Sequence, residues 1–171
     1  MKKSILFLAS IFTIALSSCV FGELDDSARY HIPPNTSKYV PIVMKRSDLD
    51  GSIKFSDVKP MDNAGKIYVK DQYIFIVDKY KGVHVYNNQN PTSPVEISFL
   101  QIPGATDIAI RDQIFYVNQV TDLVAIDIHI PTNQATVTKR LPNMFPQMYS
   151  PDGYWFQVED DEIIVDWKLR D

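Results

Sequence analysis

The sequence predicts an all-β fold on three observations. Short runs rich in Val, Ile, Tyr and Phe are punctuated by Asp, Asn, Gly and Pro; helical periodicity is nearly absent beyond residue 39; and one stretch of chain recurs about forty residues later. The 171 residues, 45% hydrophobic and 12% aromatic, suffice for one domain with a buried core. Seventeen basic against twenty-one acidic side chains leave a net charge of −4. That balance offers no basic field to a phosphate backbone, so no nucleic-acid partner is expected.

Residues 1–18 read as a leader. Lys2 and Lys3 precede an apolar run from Ile5 to Leu16, followed by the small Ser17 and Ser18, the pattern of a secretory signal. As a helix the run would rise roughly 18 Å against a hydrocarbon core of about 30 Å, too short for a permanent span. Leu16-Ser17-Ser18-Cys19 resembles the bacterial lipobox. The resemblance implies cleavage before Cys19, which becomes a diacylated N-terminus held at a membrane by about 0.8 kcal/mol per buried lipid CH₂. The expected location is the cell envelope, at the outer membrane or cell surface. Cys19 is the only cysteine, so the exported fold must be held by its core rather than by disulfides. Residues 19–38 read as the lipidated Cys and a flexible tether. Within it, Glu23, Asp25 and Asp26 resemble the acidic export signal of surface lipoproteins of Bacteroides-like bacteria, and read equally well as a solvated spacer. Pro33-Pro34-Asn35-Thr36-Ser37 fits a linker either way.

The repeat domain is expected over 39–171. Ile67 to Ile76 aligns with Ile108 to Val117 at an offset of 41, and Val83 to Asn87 with Leu123 to Asp127 at an offset of 40. A partial third copy places Asp152 to Phe156 and Ile163 to Trp167 as its strands. Each unit reads as strand, Asp-Gln or Asp-Gly turn, strand, polar loop, strand, then a more polar outer strand. A period near forty with four short strands is the signature of a β-propeller blade, in which neighbouring blades bury each other's apolar faces. The units are about 64–103, 104–146 and 147–171, two and a half blades of an incomplete or open propeller.

Gly82-Val83-His84-Val85-Tyr86-Asn87 and Leu123-Val124-Ala125-Ile126-Asp127 resemble the LVIVD repeat, and the stretch from Tyr39 to Asp171 is similar to the N-terminal part of LVIVD-repeat lipoproteins of Bacteroidota. The resemblance implies a propeller-like fold and an envelope location; that group has no defined function and no catalytic motif to carry over. Two and a half blades fall short of the four to eight that close a ring, which leaves open sheet edges. Three arrangements would deal with them: homo-oligomers, coverage by Tyr39 to Met44, or a truncated relative of a longer protein.

Ser150-Pro151-Asp152-Gly153 reads as a structural turn resembling that of TolB-type propellers, and Asp71 and Asp112 as hairpin turns. Asp48, Asp50 and Gly51 imitate the start of a calcium loop but lack a Glu at its twelfth position; the alternative is a helical turn capped by Ser47 or Asp48 that packs Leu49 and Ile53. His31, His84 and His129 lack metal-ligand spacing, and alternation with Val83 and Val85 turns His84 outward. No metal or cofactor fingerprint is present, and no catalytic residue is assigned. Trp155, Tyr149, Asp160 and Asp161 are candidate ligand contacts, the aromatics as a stacking surface and the carboxylates within the acidic run Glu159 to Glu162. Tyr154 and Phe156 should share one face, with Trp155 on the other. The expected function is a binding or scaffolding module with an envelope protein or glycan as partner. The alternative is a glycan-acting enzyme whose acid and base lie in the acidic run.

Overall fold

A computed structural model describes residues 36–171; the leader, Cys19 and most of the tether lie outside the described residues. The chain forms eleven β-strands among those residues: β1 Tyr39–Lys45, β2 Lys54–Ser56, β3 Ala64–Lys70, β4 Tyr73–Asp78, β5 Gly82–Asn87, β6 Val95–Gln101, β7 Ala105–Arg111, β8 Ile114–Gln119, β9 Asp122–His129, β10 Gln134–Leu141 and β11 Glu162–Leu169. They make an all-β protein of three antiparallel sheets, ordered β2-β6-β5-β4-β3, β10-β9-β8-β7 and β1-β11.

The two larger sheets repeat one unit down to its irregularities. Asp71 and Asp112, at φ +52° and +55°, turn the two-residue hairpins β3–β4 and β7–β8. Asp tolerates this left-handed region better than most residues because its short side chain bonds locally. Register breaks between Val85 and Tyr86 opposite β6 recur between Val137 and Lys139 opposite β9. A second break, near Ala64, recurs near Ala105. Bulges bend and twist a strand, so their recurrence gives both sheets the same shape. The sheets pack face to face: Phe75, Val77, Val83, Val85 and Leu100 of the first meet Ile108, Phe115, Val117, Val124, Ile126 and Ile128 of the second in one core cluster. Phe75 and Phe115 make an edge-to-face pair with centroids 5.0 Å apart.

The third unit is smaller than the repeat predicts. Residues 154–158 form no strand, and only β11 is built, 40 residues beyond β9. The physical reason is nearby: Pro142, Pro146 and Pro151 remove N–H donors from the segment where a partner strand would run. β1 fills the outer position instead. Ile42 pairs with Asp166 as Val137 pairs with Ile126; the register break that follows leaves out Val165 of β11, whereas in the second unit it leaves out Thr138 of the outer strand. Tyr39 to Met44 therefore covers an edge of β11 and leaves the edges of the larger sheets alone. The edge of β6 is covered by β2, an element with no sequence signature.

The expected tether is already part of the fold at Ser37, which is buried; its Oγ donates to Asp152 Oδ1 at 2.9 Å and the Lys38 N–H donates to Asp152 Oδ2 at 2.7 Å. Asp152 thus fastens the 150–153 turn to the start of β1. The turn after β1 is a 3-10 turn, Arg46–Asp48, with Lys45 at its cap and no side-chain cap bond from Ser47 or Asp48, although Leu49 and Ile53 are buried. His84 is fully buried, because the chain around Asp62 and Asn63 crosses the outer face of the first sheet.

Candidate functional site

The first sheet carries an internal polar site at the Asp78 end of β4. Cross-strand pairing sets His84 opposite Ile76 and Phe99, on the face away from the core. His84 Nδ1 lies 2.6 Å from Glu96 Oε1, and Nε2 lies 3.4 Å from Asp78 Oδ2. Asp78 also accepts the backbone N–H groups of Asn63 at 2.8 Å and Asp62 at 3.1 Å. The imidazole is wedged against Phe99, ring centroids 4.7 Å apart. A buried ring between two carboxylates has its polar atoms satisfied, which is what permits His inside a sheet.

Beside this cluster a cavity of about 260 Å³ opens between the first sheet and the β1–β11 pair. Ile42, Pro60, Phe99, Pro103 and Val165 form its apolar walls, and Lys59, Asp78, Lys81 and Asp166 its charged positions. Lys59 Nζ stands 5.0 Å above the Phe99 ring, a cation–π contact, and donates to Gln101 at 3.3 Å. Lys81 donates to Asp62, and that bond raises the ammonium above its usual range. Asp166 is pushed up, first by burial and then by the charges of Asp62 and Asp78, although the Trp167 N–H and Lys81 pull the other way. Tyr80 shapes one end. Its φ of +68° is held by bonds from its N–H to Ala105 O at 2.6 Å and from the Gly104 N–H to its own carbonyl at 2.8 Å.

A second cavity, about 330 Å³, lies at the opposite end of β4 between the two larger sheets, lined by the Asp71-Gln72 and Asp112-Gln113 turns with Tyr73, Phe115 and Ile130. A third feature is a closed charge cluster. Asp122, fully buried, accepts from Arg46 Nη1 at 3.0 and 3.1 Å, Arg140 Nη1 at 2.9 Å, Thr121 Oγ1 at 3.0 Å and the Asn143 N–H at 3.1 Å. Burial acts to raise its carboxyl, but these bonds outweigh it and hold Asp122 below the usual carboxylate range. Arg140 also takes Asp50, one of the calcium-loop candidates, and Gln119.

The sequence-derived contact residues lie elsewhere. Tyr149 and Trp155 are exposed on the strandless segment before β11, while Phe156 is buried against Trp167. Asp160 and Asp161 form the turn into β11, and Glu162 already belongs to that strand. Both Asp161 oxygens accept from Lys45 Nζ, at 2.9 and 2.8 Å, and this bond pulls the Asp161 carboxyl down. Among the described residues no hydrogen bond, ion pair or ring contact joins Tyr149 or Trp155 to the two carboxylates. The cavity residues Lys59, Lys81 and Asp166 escaped the sequence reading, yet one signal was present: His84 and Asp78 stand where the second unit has Val124 and Gln119.

Comparison with family models, with curated proteins and with solved structures finds no match to this chain. Among the described residues no helix is long and apolar enough to cross a membrane.

Proposed function

We propose that the chain is an envelope lipoprotein, anchored through lipid on Cys19, whose propeller-like repeats of LVIVD type form a binding module for an envelope protein or glycan. The observation that carries the binding reading is the cavity between the first sheet and β1–β11: apolar walls for contact area, with Lys59, Lys81 and Asp166 at its polar positions for orientation. The recurrence of one bulged four-stranded unit supports the propeller-like reading. The glycan-acting alternative needs one carboxyl that keeps its proton beside one that is ionised, and Asp161, bound by Lys45, is held towards the ionised form and does not suit the acid's role.

Two measurements test this. Mass spectrometry of the mature N-terminus should find a diacylated Cys19, and Cys19→Ser should move the protein out of the membrane fraction; an unmodified Cys19 with unchanged fractionation refutes the anchor. A panel of soluble envelope polysaccharides and peptides is titrated against the parent and against Lys81→Ala with Asp166→Asn. Binding that is lost in the double variant supports the cavity, whereas binding by neither protein, or equally by both, refutes it.

A further inference from the structure

The two larger sheets meet head to tail: the second unit places one face on the first, and the first presents its opposite kind of face to receive it. Part of each kind of face is left uncovered. Ile108, Ile110, Phe115 and Val117, on the face that the second unit turns into the core, correspond to Ile67, Val69, Ile74 and Ile76 of the first. Ile108, Phe115 and Val117 are buried and Ile110 packs against them, whereas Ile67 and Val69 are 63% and 66% exposed, and Ile74 and Ile76 are half-buried. On the second unit the receiving face is exposed at Tyr116 and closed over at Asn118. Phe75 and Val77, which receive Phe115 and its neighbours, correspond to Tyr116, 40% exposed, and Asn118, whose buried Oδ1 lacks a hydrogen-bond partner.

We propose that copies of this chain associate head to tail, the β3–β4 face of one copy docking on the β8 face of the next and repeating the β7–β8 part of the contact already made between the units. The occupant is a second copy because Ile67 and Val69 on one half and Tyr116 on the other, equivalents of residues that meet within the chain, stay exposed, while the Asp62–Asn63 loop covers the His84 part. Charge agrees: Lys66 bonds Asp107 within the chain, and these two are themselves repeat equivalents, so Asp107 of one copy would face Lys66 of the next. The contact is heterologous, and it continues until the rotation between copies closes a ring or runs on as a filament. It uses sheet faces rather than the open edges expected from the sequence, and it does not depend on the lipid anchor or on the cavity.

The Phe75–Phe115 pair specifies the test, since its intermolecular counterpart sets Tyr116 of one copy against Ile74 of the next. Two full-length versions, each carrying Cys19→Ser, receive Ile74→Cys or Tyr116→Cys and are treated with a short bis-maleimide, alone and mixed. Thermal unfolding equal to that of the Cys19→Ser parent shows that each is folded. The mixture should give about tenfold more cross-linked dimer than either protein alone, as docked cysteines gain effective concentration. Adding Ile67→Lys to the Ile74→Cys version should remove that excess at unchanged thermal stability. Cross-linking of the Ile74→Cys version to itself would show a symmetric face-to-face contact and overturn the proposal. A mixture no richer in dimer than its components would also overturn it.

Discussion

Replacing Asp122 by Ala should be among the most damaging single changes in the protein. The carboxylate is fully buried, and two guanidinium groups, a hydroxyl and a backbone N–H converge on it. Breaking a buried pair by removing one partner costs on the order of 3–5 kcal/mol, because the remaining charge is stranded. Here the low end applies. Arg140 keeps Asp50 and Gln119, and the Arg46 side chain is 35% exposed, so water screens part of the loss. A loss of about 3 kcal/mol corresponds to a fall in Tm of roughly 10 °C for a domain of this size. The assay is thermal unfolding followed by circular dichroism, with Asp127→Ala, an exposed position five residues along the same strand, as the control, expected within about 0.5 kcal/mol of the parent. The pH dependence follows in sign. A carboxyl held below its unfolded value adds stability that is fully present above about pH 4 and is lost as pH falls through the folded value. The parent's advantage over Asp122→Ala should therefore be flat from pH 8 to 5 and shrink below pH 4. A fall in Tm under about 2 °C, or an advantage that grows on acidification, would refute the clamp.

Asp166→Asn should stabilise the protein at pH 7: the folded carboxyl sits above its unfolded value, so its ionisation costs stability at neutral pH, and the gain should vanish below about pH 4 in a denaturation series. Gly104→Ala should lower stability by about 1–3 kcal/mol in urea unfolding, since φ there is +75° and an added Cβ would collide with the Val120 side chain. His84→Val, which copies the residue of the second unit, should still destabilise, by about 1–3 kcal/mol, because Asp78 and Glu96 lose the polar ring that lies between them; adding Glu96→Gln should recover part of that loss in the same assay. Tyr149→Ala and Trp155→Ala should leave Tm within about 2 °C of the parent, both side chains being exposed.

The strands of the first two units were legible because alternation and turn chemistry are local. Asp71 and Asp112 mark their hairpins, and the runs Ile67 to Ile76 and Ile108 to Val117 mark the strands as one repeated pattern. What failed was not local. Alternation implies one wet face, and β5 has none along Gly82 to Val85, since the core lies on one side and the chain near Asp62 on the other. The β1–β11 pairing joins residues more than a hundred positions apart, and no pattern in Tyr39 to Lys45 selects Glu162 to Leu169 as its partner. The Asp152 to Phe156 segment copies the start of β8 in residue type, yet its neighbour carries the prolines that deny it a ladder, so likeness to a strand did not make one.

A repeat nonetheless provides an internal reference that a unique sequence lacks. When two units share bulges and turns, corresponding positions occupy corresponding places in the sheet, and a change of chemistry between them needs a cause in what covers that place. Val124 and His84 form such a pair: the first is buried against the neighbouring unit, and the second is buried under a loop that brings two backbone N–H groups to Asp78. Ile108 and Ile67 form the converse pair, with unchanged chemistry and opposite exposure. The first difference leads to the polar cluster beside the cavity, and the second identity leads to the uncovered face. A side chain kept apolar at a position its own chain leaves wet is poorly explained by folding of the monomer alone, because exposing it gains nothing from burial. The head-to-tail contact gives Ile67 the same role that Ile108 already has.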